Sequence, residues 1–386
     1  MRRRPARAAA PVPPAPPAPV PAAVTGPPYP PGWVNRMADW AERRAGPAWL
    51  PYVLLGLALA VLQVAIQWSD NTYPIGTVDP FNVVVALSVP YMLGLMHYLL
   101  RAGARSVREF RPALRGSAAD AEELEFRMGT LPARGAFLAG LAVTVVSLVI
   151  ALSPTLARLA GLPLLTAGLG GEVLLTWPQV FRISPSPLSI GFTAAVTFIA
   201  WWTTGAFAYL AVHQLRLIDR IYTEHTLLHL FRLGPLYAFS RQTLRIAVGL
   251  LILAYSLAAT APEVVNSGVG GATWLLLVSG AVAVFLIPLL GVHRLLAAEK
   301  GRRLDEAGAR LEAGTAELHR RMDANDLARM DDLNKALASL ELERSALDRI
   351  PTWPWERGTL RSLVAAILVP LVIWLVQAAL GKLLAG

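Results

Sequence analysis

Two histidines, His225 and His229, have the i, i+4 spacing that lets two imidazoles bind one metal ion from one helix. Asp219 and Glu224 lie nearby in the sequence. The pattern is not that of a zinc protease, and the sequence offers no evident third ligand. We therefore expect these histidines to pack inside the protein or to lie at an interface, and we predict no metal site.

The rest of the sequence contains none of the common catalytic patterns. The chain has no Cys, which excludes disulfides, thiolate metal sites and cysteine nucleophiles. A nucleophile elbow, a phosphate-binding loop and a dinucleotide fingerprint are also missing. An enzyme acting on lipid is the least favoured hypothesis, and we predict a non-enzymatic protein without a cofactor.

A polar stripe runs along the fourth apolar stretch of the sequence. Thr193, Thr197 and Thr204 fall on one helical face, with Trp201 adjacent. A threonine in a membrane helix can hydrogen-bond to its own preceding turn or to a neighbouring helix, which favours a role in packing. The same hydroxyls could instead line a permeation path for an ion or a weakly polar solute, so both interpretations stay open.

These threonines lie in one of seven stretches that are apolar and long enough to cross a bilayer, which takes about 20 helical residues. The composition agrees, because 55% of the residues are hydrophobic and only 16% are charged. The sequence therefore predicts an all-α, polytopic membrane helical bundle of about seven spans. They cover 49–68, 80–100, 135–153, 188–212, 243–262, 273–290 and 363–384.

The distribution of basic residues orients this bundle. All but three of the 35 Lys and Arg residues fall in alternate gaps between spans, which share one face of the membrane. The exceptions are Arg158, Arg182 and Lys382. The positive-inside rule then predicts a multi-pass protein of the cell membrane with a cytoplasmic N-terminus and an outside C-terminus. Because the excess charge lies beside membrane segments, the bilayer is the expected partner and nucleic acid is excluded.

Composition divides the chain into four regions. The first is rich in Pro, Ala and Arg and is predicted to be a disordered cytoplasmic tail. Spans 1 to 6 with cytoplasmic helical extensions follow, then a cytoplasmic helical hairpin, then an interfacial segment with span 7. The four regions are 1–47, 48–290, 291–350 and 351–386.

Two segments beside the spans have patterns of their own. An amphipathic pattern predicts that span 4 continues inward as a helix over 213–232, until Gly234 and Pro235 end it. On the other face, 154–187 is apolar but too interrupted by Gly and Pro to span. It is predicted to form a surface cap or a re-entrant loop, because irregular backbone at membrane depth must be buried in protein or line a water-filled cavity.

The hairpin is predicted from a coiled-coil seam and from topology. Apolar residues recur at heptad or at three- and four-residue spacings through 291–350. Span 6 exits into the cytoplasm and span 7 enters from it, so the chain must fold back as two antiparallel helices. Four i, i+4 pairs support them: Glu299–Arg303, Glu306–Arg310, Glu317–Arg321 and Asp331–Lys335. The seam consists of Leu304, Leu311, Leu318, Met330, Leu333, Leu337, Leu340 and Leu347.

The predicted hairpin is an ordered soluble module, whereas the predicted spans contain none of the common catalytic patterns. This combination favours a role in assembly or signalling. The expected partner is a further copy of the chain or a cytoplasmic protein that binds the hairpin seam. The alternative function is a channel or facilitator for an ion or small solute. It is favoured by the threonine stripe and by three prolines inside spans, Pro90, Pro288 and Pro370.

Overall fold

The computed structural model describes residues 28–159, 186–227, 230–262, 268–325, 328, 330–356, 358–369 and 372, and every regular element in these ranges is a helix. Single-residue bridges join Pro31 to Pro132 and Leu114 to Thr226. The helices are α1 (Trp33–Glu42), α2 (Leu50–Ser69), α3 (Pro80–Phe110), α4 (Ala118–Gly129), α5 (Ala133–Leu159), α6 (Pro187–Glu224), α7 (Tyr237–Thr260), α8 (Gly268–Asp323), α9 (Met330–Asp348) and α10 (Gly358–Val369).

Five helical segments are long and apolar enough to cross a membrane, which marks the chain as a membrane protein. They coincide with predicted spans 1, 2, 4, 5 and 6. The third and seventh predicted spans overlap shorter apolar helices, Ala133–Val149 and Gly358–Val369. The five long segments are Leu50–Ser69, Pro80–Ala113, Pro187–Glu224, Gly234–Thr260 and Trp274–Asp323.

Three predictions concern residues that lie wholly or partly outside the described ranges. The residues concerned that are not described are 1–27 of the predicted tail, 160–185 of the predicted outer segment, and 370, 371 and 373–384 of span 7, which include Pro370. The disordered tail, the choice between cap and re-entrant loop, and the full seventh span therefore stay predictions.

Local sequence explains where several helices begin. The Asp79 carboxylate accepts a hydrogen bond from Phe81 N at 3.2 Å and so caps α3. Ser117 and Asp120 form a reciprocal capping box at the start of α4. Ser186 caps α6 by accepting from Leu188 N at 3.3 Å. These side chains satisfy amide donors that the first helical turn leaves without partners.

The helices α3, α6 and α8 extend well past the apolar spans predicted for them. Their ends pack with α7 into a cluster built around Phe110, Tyr222 and Phe239. The ring centroids of Phe110 and Phe239 lie 4.9 Å apart, and the Tyr222 ring meets Phe239 edge to face at 5.4 Å. Tyr222 also donates its hydroxyl hydrogen to Leu236 O at 2.7 Å. A second layer of core therefore lies at the end of the bundle where the basic residues concentrate.

Helix α6 ends at Glu224, earlier than the predicted extension over 213–232. The chain leaves the helix because it pairs with residues far away in sequence. Arg115 N donates to His225 O at 2.7 Å, and Leu227 N donates to Ala113 O at 2.8 Å. Amphipathic periodicity cannot reveal such a nonlocal pairing, which replaces the helical hydrogen bonds at this point.

Helices α5 and α6 pack along each other and approach closely where neither carries a side chain. A Cβ on Gly205 would meet the carbonyl oxygen of Ala139 and would lie 2.8 Å from the Cα of Gly140. A Cβ on Gly140 would in turn lie 3.0 Å from the Trp202 ring. Small residues at such a crossing let membrane helices gain van der Waals contact along their backbones.

Candidate functional site

Helices α8 and α9 lie side by side and antiparallel. Near the inner layer, Lys300 Nζ donates to Ile350 O at 3.2 Å. Farther along, a Cβ on Gly314 would lie only 2.7 Å from Leu337 Cδ2. Residue numbers rise along one helix as they fall along the other, and Gly314 lets the two approach closely.

The predicted seam follows the contact between α8 and α9, but only its base is fully buried. Leu347 is 4% exposed and packs with Ala307 and Leu304 in the inner-layer cluster. The rest of the seam is only half-buried, because two helices cannot enclose an apolar stripe on all sides. The half-buried members are Leu304, Leu311, Leu318, Met330, Leu333, Leu337 and Leu340.

Ion pairs cover the outward faces of the two helices. Glu306 pairs with Arg302 and Arg303, and not with the predicted Arg310. Such exposed pairs contribute little to stability, so we assign them to the solubility of this surface. Three predicted pairs do form: Glu299–Arg303 at 3.1 Å, Glu317–Arg321 at 2.7 Å and Asp331–Lys335 at 2.8 Å.

The burial of the threonine stripe of α6 varies along its length. Thr193 and Thr197 are buried, Trp201 is half-buried and Thr204 is exposed. Thr197 Oγ1 donates to Thr193 O at 2.7 Å, and Thr204 Oγ1 donates to Ala200 O at 2.8 Å. These hydroxyls bond back to their own helix, which is how threonine commonly satisfies its donor in a membrane helix.

A buried pair of glutamines joins four helices near the inner layer. Gln214 and Gln242 are both 0% exposed. Gln214 Nε2 donates to Leu99 O and to Met128 O, each at 3.1 Å. Gln242 Nε2 donates to Leu99 O at 3.1 Å and to Gln214 Oε1 at 2.9 Å. The pair thus links α3, α4, α6 and α7 through one hydrogen-bonded junction.

No sequence motif marks this junction, although the helical period of α6 contains a signal for it. Gln214 follows Leu210 by four residues and precedes Leu217 and Ile218 by three and four, so it shares their apolar face. A polar amide on a buried face must find partners inside the protein. The position of Gln214 on this face therefore predicts a buried contact, but it does not identify the carbonyls that accept from Gln214.

A second polar cluster, also missed from the sequence, holds α1 against α2 and α3. His97 Nε2 lies 3.0 Å from Glu42 Oε1, and His97 Nδ1 lies 3.0 Å from Tyr52 Oη. Because a carboxylate only accepts, Nε2–H donates to Glu42, and Nδ1 is within hydrogen-bonding distance of the Tyr52 hydroxyl. Arg101 donates through Nε to Glu42 at 2.7 Å and through a terminal nitrogen to Asp39 at 2.8 Å. The cluster therefore joins the three helices through hydrogen bonds and ion pairs.

An apolar groove of about 730 Å³ opens between α2 and α3 beside this cluster. Glycines widen it, since a Cβ on Gly56 would touch Leu87 at 3.2 Å and one on Gly94 would touch Tyr52 at 3.5 Å. The groove is lined mainly by apolar side chains. Its walls include Val53, Leu57, Leu87 and Pro90, and its polar end is formed by His97 and Arg101.

The polar cluster predicts a pH-dependent stability that Glu42→Gln removes. Burial alone would raise the pKa of Glu42, but the hydrogen bonds from His97 and Arg101 outweigh it and lower that pKa below its usual 4.5. The ionised carboxylate therefore stabilises the fold above its unfolded-state pKa, and this contribution is lost as pH falls through the folded-state value. Since Glu42 is 40% exposed, we expect less than about 1 kcal/mol.

Thermal unfolding of the purified protein in detergent, at about pH 7 and about pH 3, measures this effect. The midpoint difference between wild type and Glu42→Gln should be present at the higher pH and vanish at the lower one. Glu122→Gln, a change of an exposed carboxylate on α4, is the control. A difference of the same size at both pH values would contradict the role of Glu42.

The predicted histidine pair is only partly described. His225 follows the last turn of α6, where its N–H donates to Ile221 O at 3.0 Å. Its Nε2 lies 3.9 Å from Glu224 Oε2. His229 lies outside the described residues. Within the described part of the chain, no group of three His, Cys, Asp or Glu side chains is placed to hold a metal ion.

No protein-family model, curated protein or solved structure matches the chain. Function must therefore be argued from the arrangement of its own residues. The α8–α9 pair combines an accessible apolar stripe with charged flanks outside the apolar part of the bundle. Its eight seam residues form the largest group, among the sites described above, that lies along one helical contact.

Proposed function

We propose that this chain is a non-enzymatic integral protein of the cell membrane whose cytoplasmic hairpin mediates assembly or signalling to a partner. In this proposal seven helices span the bilayer, the N-terminus is cytoplasmic and the C-terminus is outside. The hairpin consists of α8 beyond the membrane together with α9. The single observation that carries the proposal is the half-buried seam, which α8 and α9 leave accessible after they pack together.

Charge supports the proposed orientation. The inner ends of α3, α6 and α8 carry clusters of arginine, whereas no Lys or Arg occurs between Arg44 and Arg101, a stretch that includes the turn between α2 and α3. Positive residues flanking membrane spans concentrate on the cytoplasmic side. This distribution supports an outside α2–α3 turn and a cytoplasmic α8–α9 pair.

A further helix or hairpin is the occupant that suits the seam. Copies of the chain share one orientation in the membrane. When two hairpins meet, the same residue in each copy therefore lies at the same distance from the membrane. Around a two-fold axis each seam position then lies close to the same position in the other copy. Pairing of this kind would convert a two-helix contact into a four-helix bundle and would enclose the stripe.

Single-cysteine variants test this arrangement directly, because the chain has no Cys and a disulfide between two copies can form only through the introduced residue. Under oxidation, Leu311→Cys and Leu318→Cys should form disulfide-linked dimers in membranes. Ala316→Cys, on the same helix but exposed, is the matched control and should not. In addition, Leu311→Asp should lower the mass measured by size-exclusion chromatography with light scattering. Failure to crosslink together with an unchanged mass would exclude assembly between copies.

The proposed orientation is tested with the same cysteine-free background. Ile75 lies in the α2–α3 turn and is 83% exposed, so Ile75→Cys should react with an impermeant maleimide applied to intact cells. Ala316→Cys should react only after the membrane is permeabilised. The reverse pattern would overturn the orientation and, with it, the cytoplasmic hairpin.

A channel or facilitator for an ion or small solute is the second candidate function. It is favoured by the two hydroxyls at Thr193 and Thr197, which are buried within a span. Robust flux in proteoliposomes that Thr197→Leu abolishes would support the channel function and would overturn the proposal of a hairpin that mediates assembly or signalling. An absence of flux together with seam crosslinking would favour assembly.

A further inference from the structure

Three buried oxygen atoms at the end of α2 have no hydrogen-bond partner: Gln67 Oε1, Asp70 Oδ2 and Thr72 Oγ1. Gln67 is only 2% exposed. A buried oxygen that loses its hydration without gaining a partner is costly, and native proteins rarely keep several together. Three such atoms within six residues indicate that something else supplies their missing contacts.

The backbone holds these three residues close together at the end of α2. Gln67 and Asp70 are three residues apart, so they share a face at the last turn of α2. Asn71 then adopts a left-handed conformation with φ of 54°, which turns the chain back over the helix end. As a result, the N–H groups of Thr72 and Tyr73 both donate to Gln67 O, at 3.1 and 3.3 Å. Thr72 is thereby fixed beside Gln67.

The charged residues in the turn between α2 and α3 are acidic. Asp79 opens α3 and is 2% exposed, and its carboxylate accepts from Phe81 N and from Asn82 Nδ2. Neither Asp70 nor Asp79 forms an ion pair with a base in the described part of the chain. The carboxyl end of α2 adds the negative end of its dipole to the same region.

We propose that the α2–α3 turn binds a calcium ion through Gln67 Oε1, Asp70 Oδ2 and Thr72 Oγ1, with waters completing the shell and Asp79 supplying a second negative charge. All three donors are oxygens, which selects a hard cation over a transition metal. Amide, carboxylate and hydroxyl oxygens in an irregular turn suit the flexible coordination of Ca²⁺, whereas Mg²⁺ requires a near-ideal octahedron. With few carboxylates, the affinity should resemble that of extracellular calcium modules, a Kd of about 10⁻⁴–10⁻³ M.

The sequence gives no acidic motif for this site, because neutral oxygens outnumber carboxylates among its ligands. The site is independent of the hairpin and of its proposed role in assembly. It lies at the opposite end of the bundle, where the ion would pin the first two spans together. Its failure in a binding test would therefore leave the crosslinking result at Leu311 and Leu318 unaffected.

Binding is measured on the purified full-length chain in detergent after chelator treatment. Ca²⁺ should raise the unfolding temperature saturably, and Tb³⁺ should give luminescence sensitised by Trp68, whose ring nitrogen donates to Thr77 O in the same turn at 2.7 Å. Asp70→Asn should weaken binding at least about tenfold, because it removes the one charged ligand. Asp331→Asn, a change of a carboxylate 82% exposed on α9, is the control and should bind as wild type does.

Thr72→Val keeps the test decisive if Asp70→Asn does not fold. It removes the orphan hydroxyl without changing the shape of the side chain, so it should be as stable as wild type or more stable without Ca²⁺, while its response to Ca²⁺ weakens. Wild type without a saturable Ca²⁺ response, or an undiminished response in both variants, would overturn the site. An equal response to Mg²⁺ or Na⁺ would overturn the assignment to calcium.

Discussion

Gly205→Ala should destabilise the bundle by about 3 kcal/mol, at the upper end of the range for overpacked cores. The added methyl group would meet the Ala139 carbonyl oxygen and the Cα of Gly140, and both are backbone atoms of α5. A flexible side chain could rotate away from the intrusion, but two packed helical backbones must separate. That separation also weakens the contacts on either side of the crossing.

Gly191→Ala is the matched control because it lies on the same helix and has no heavy atom within 4 Å of the added Cβ. It should be neutral or should stabilise α6 by up to about 1 kcal/mol, the difference in helix propensity between Gly and Ala. Unfolding of both variants in detergent, followed by circular dichroism, gives the comparison. Equal midpoints for the two variants would show that α5 and α6 do not cross at Gly205.

Gln214→Leu should cost about 2–3 kcal/mol, because it removes a side chain that makes three buried hydrogen bonds and leaves their partners unpaired. Met128 O loses its side-chain donor, and Gln242 Nε2 loses one of its two acceptors. Leucine nearly matches the volume of glutamine, so the loss reports on hydrogen bonding more than on a cavity.

The double variant Gln214→Leu, Gln242→Leu distinguishes a hydrogen-bonded junction from simple crowding. Once Gln214 is gone, the buried Gln242 amide has a donor without one of its acceptors, and removing Gln242 relieves that cost. We therefore expect the double variant to lose clearly less stability than the sum of the two single variants. Strict additivity in the same unfolding measurement would indicate that the two side chains act independently.

Hydropathy was sufficient to predict the five long spans, because a run of apolar residues of membrane length has few alternative structures. The same apolar signal could not predict where the helices end. At Glu224 the chain leaves α6 to bond with residues near Leu114, a contact between segments about one hundred residues apart. Helical periodicity continues through this position and gives no sign of the break.

The candidate sites also differed in how far the sequence could predict them, because a pattern within one segment is visible in the sequence and a contact between segments is not. The seam repeats along one segment, so its members could be identified from spacing alone. The Thr193–Thr204 stripe also shares a helical face, but its burial depends on which neighbours lie beside each turn. The Gln214–Gln242 pair and the Glu42–His97–Tyr52 cluster each join different helices. Isolated polar residues in one sequence do not specify which helices will come into contact.

The uninterrupted course of α8 has a mechanical consequence. Its 56 residues, at 1.5 Å each, make a rod of about 84 Å that begins within the apolar bundle and ends at the tip of the hairpin. A rod of this kind acts as a lever, since a tilt of about 5° at its base would move its far end by roughly 7 Å. A small change in bilayer thickness or in helix tilt would thus move the tip farther than the base, and a protein bound at the tip would be displaced with it.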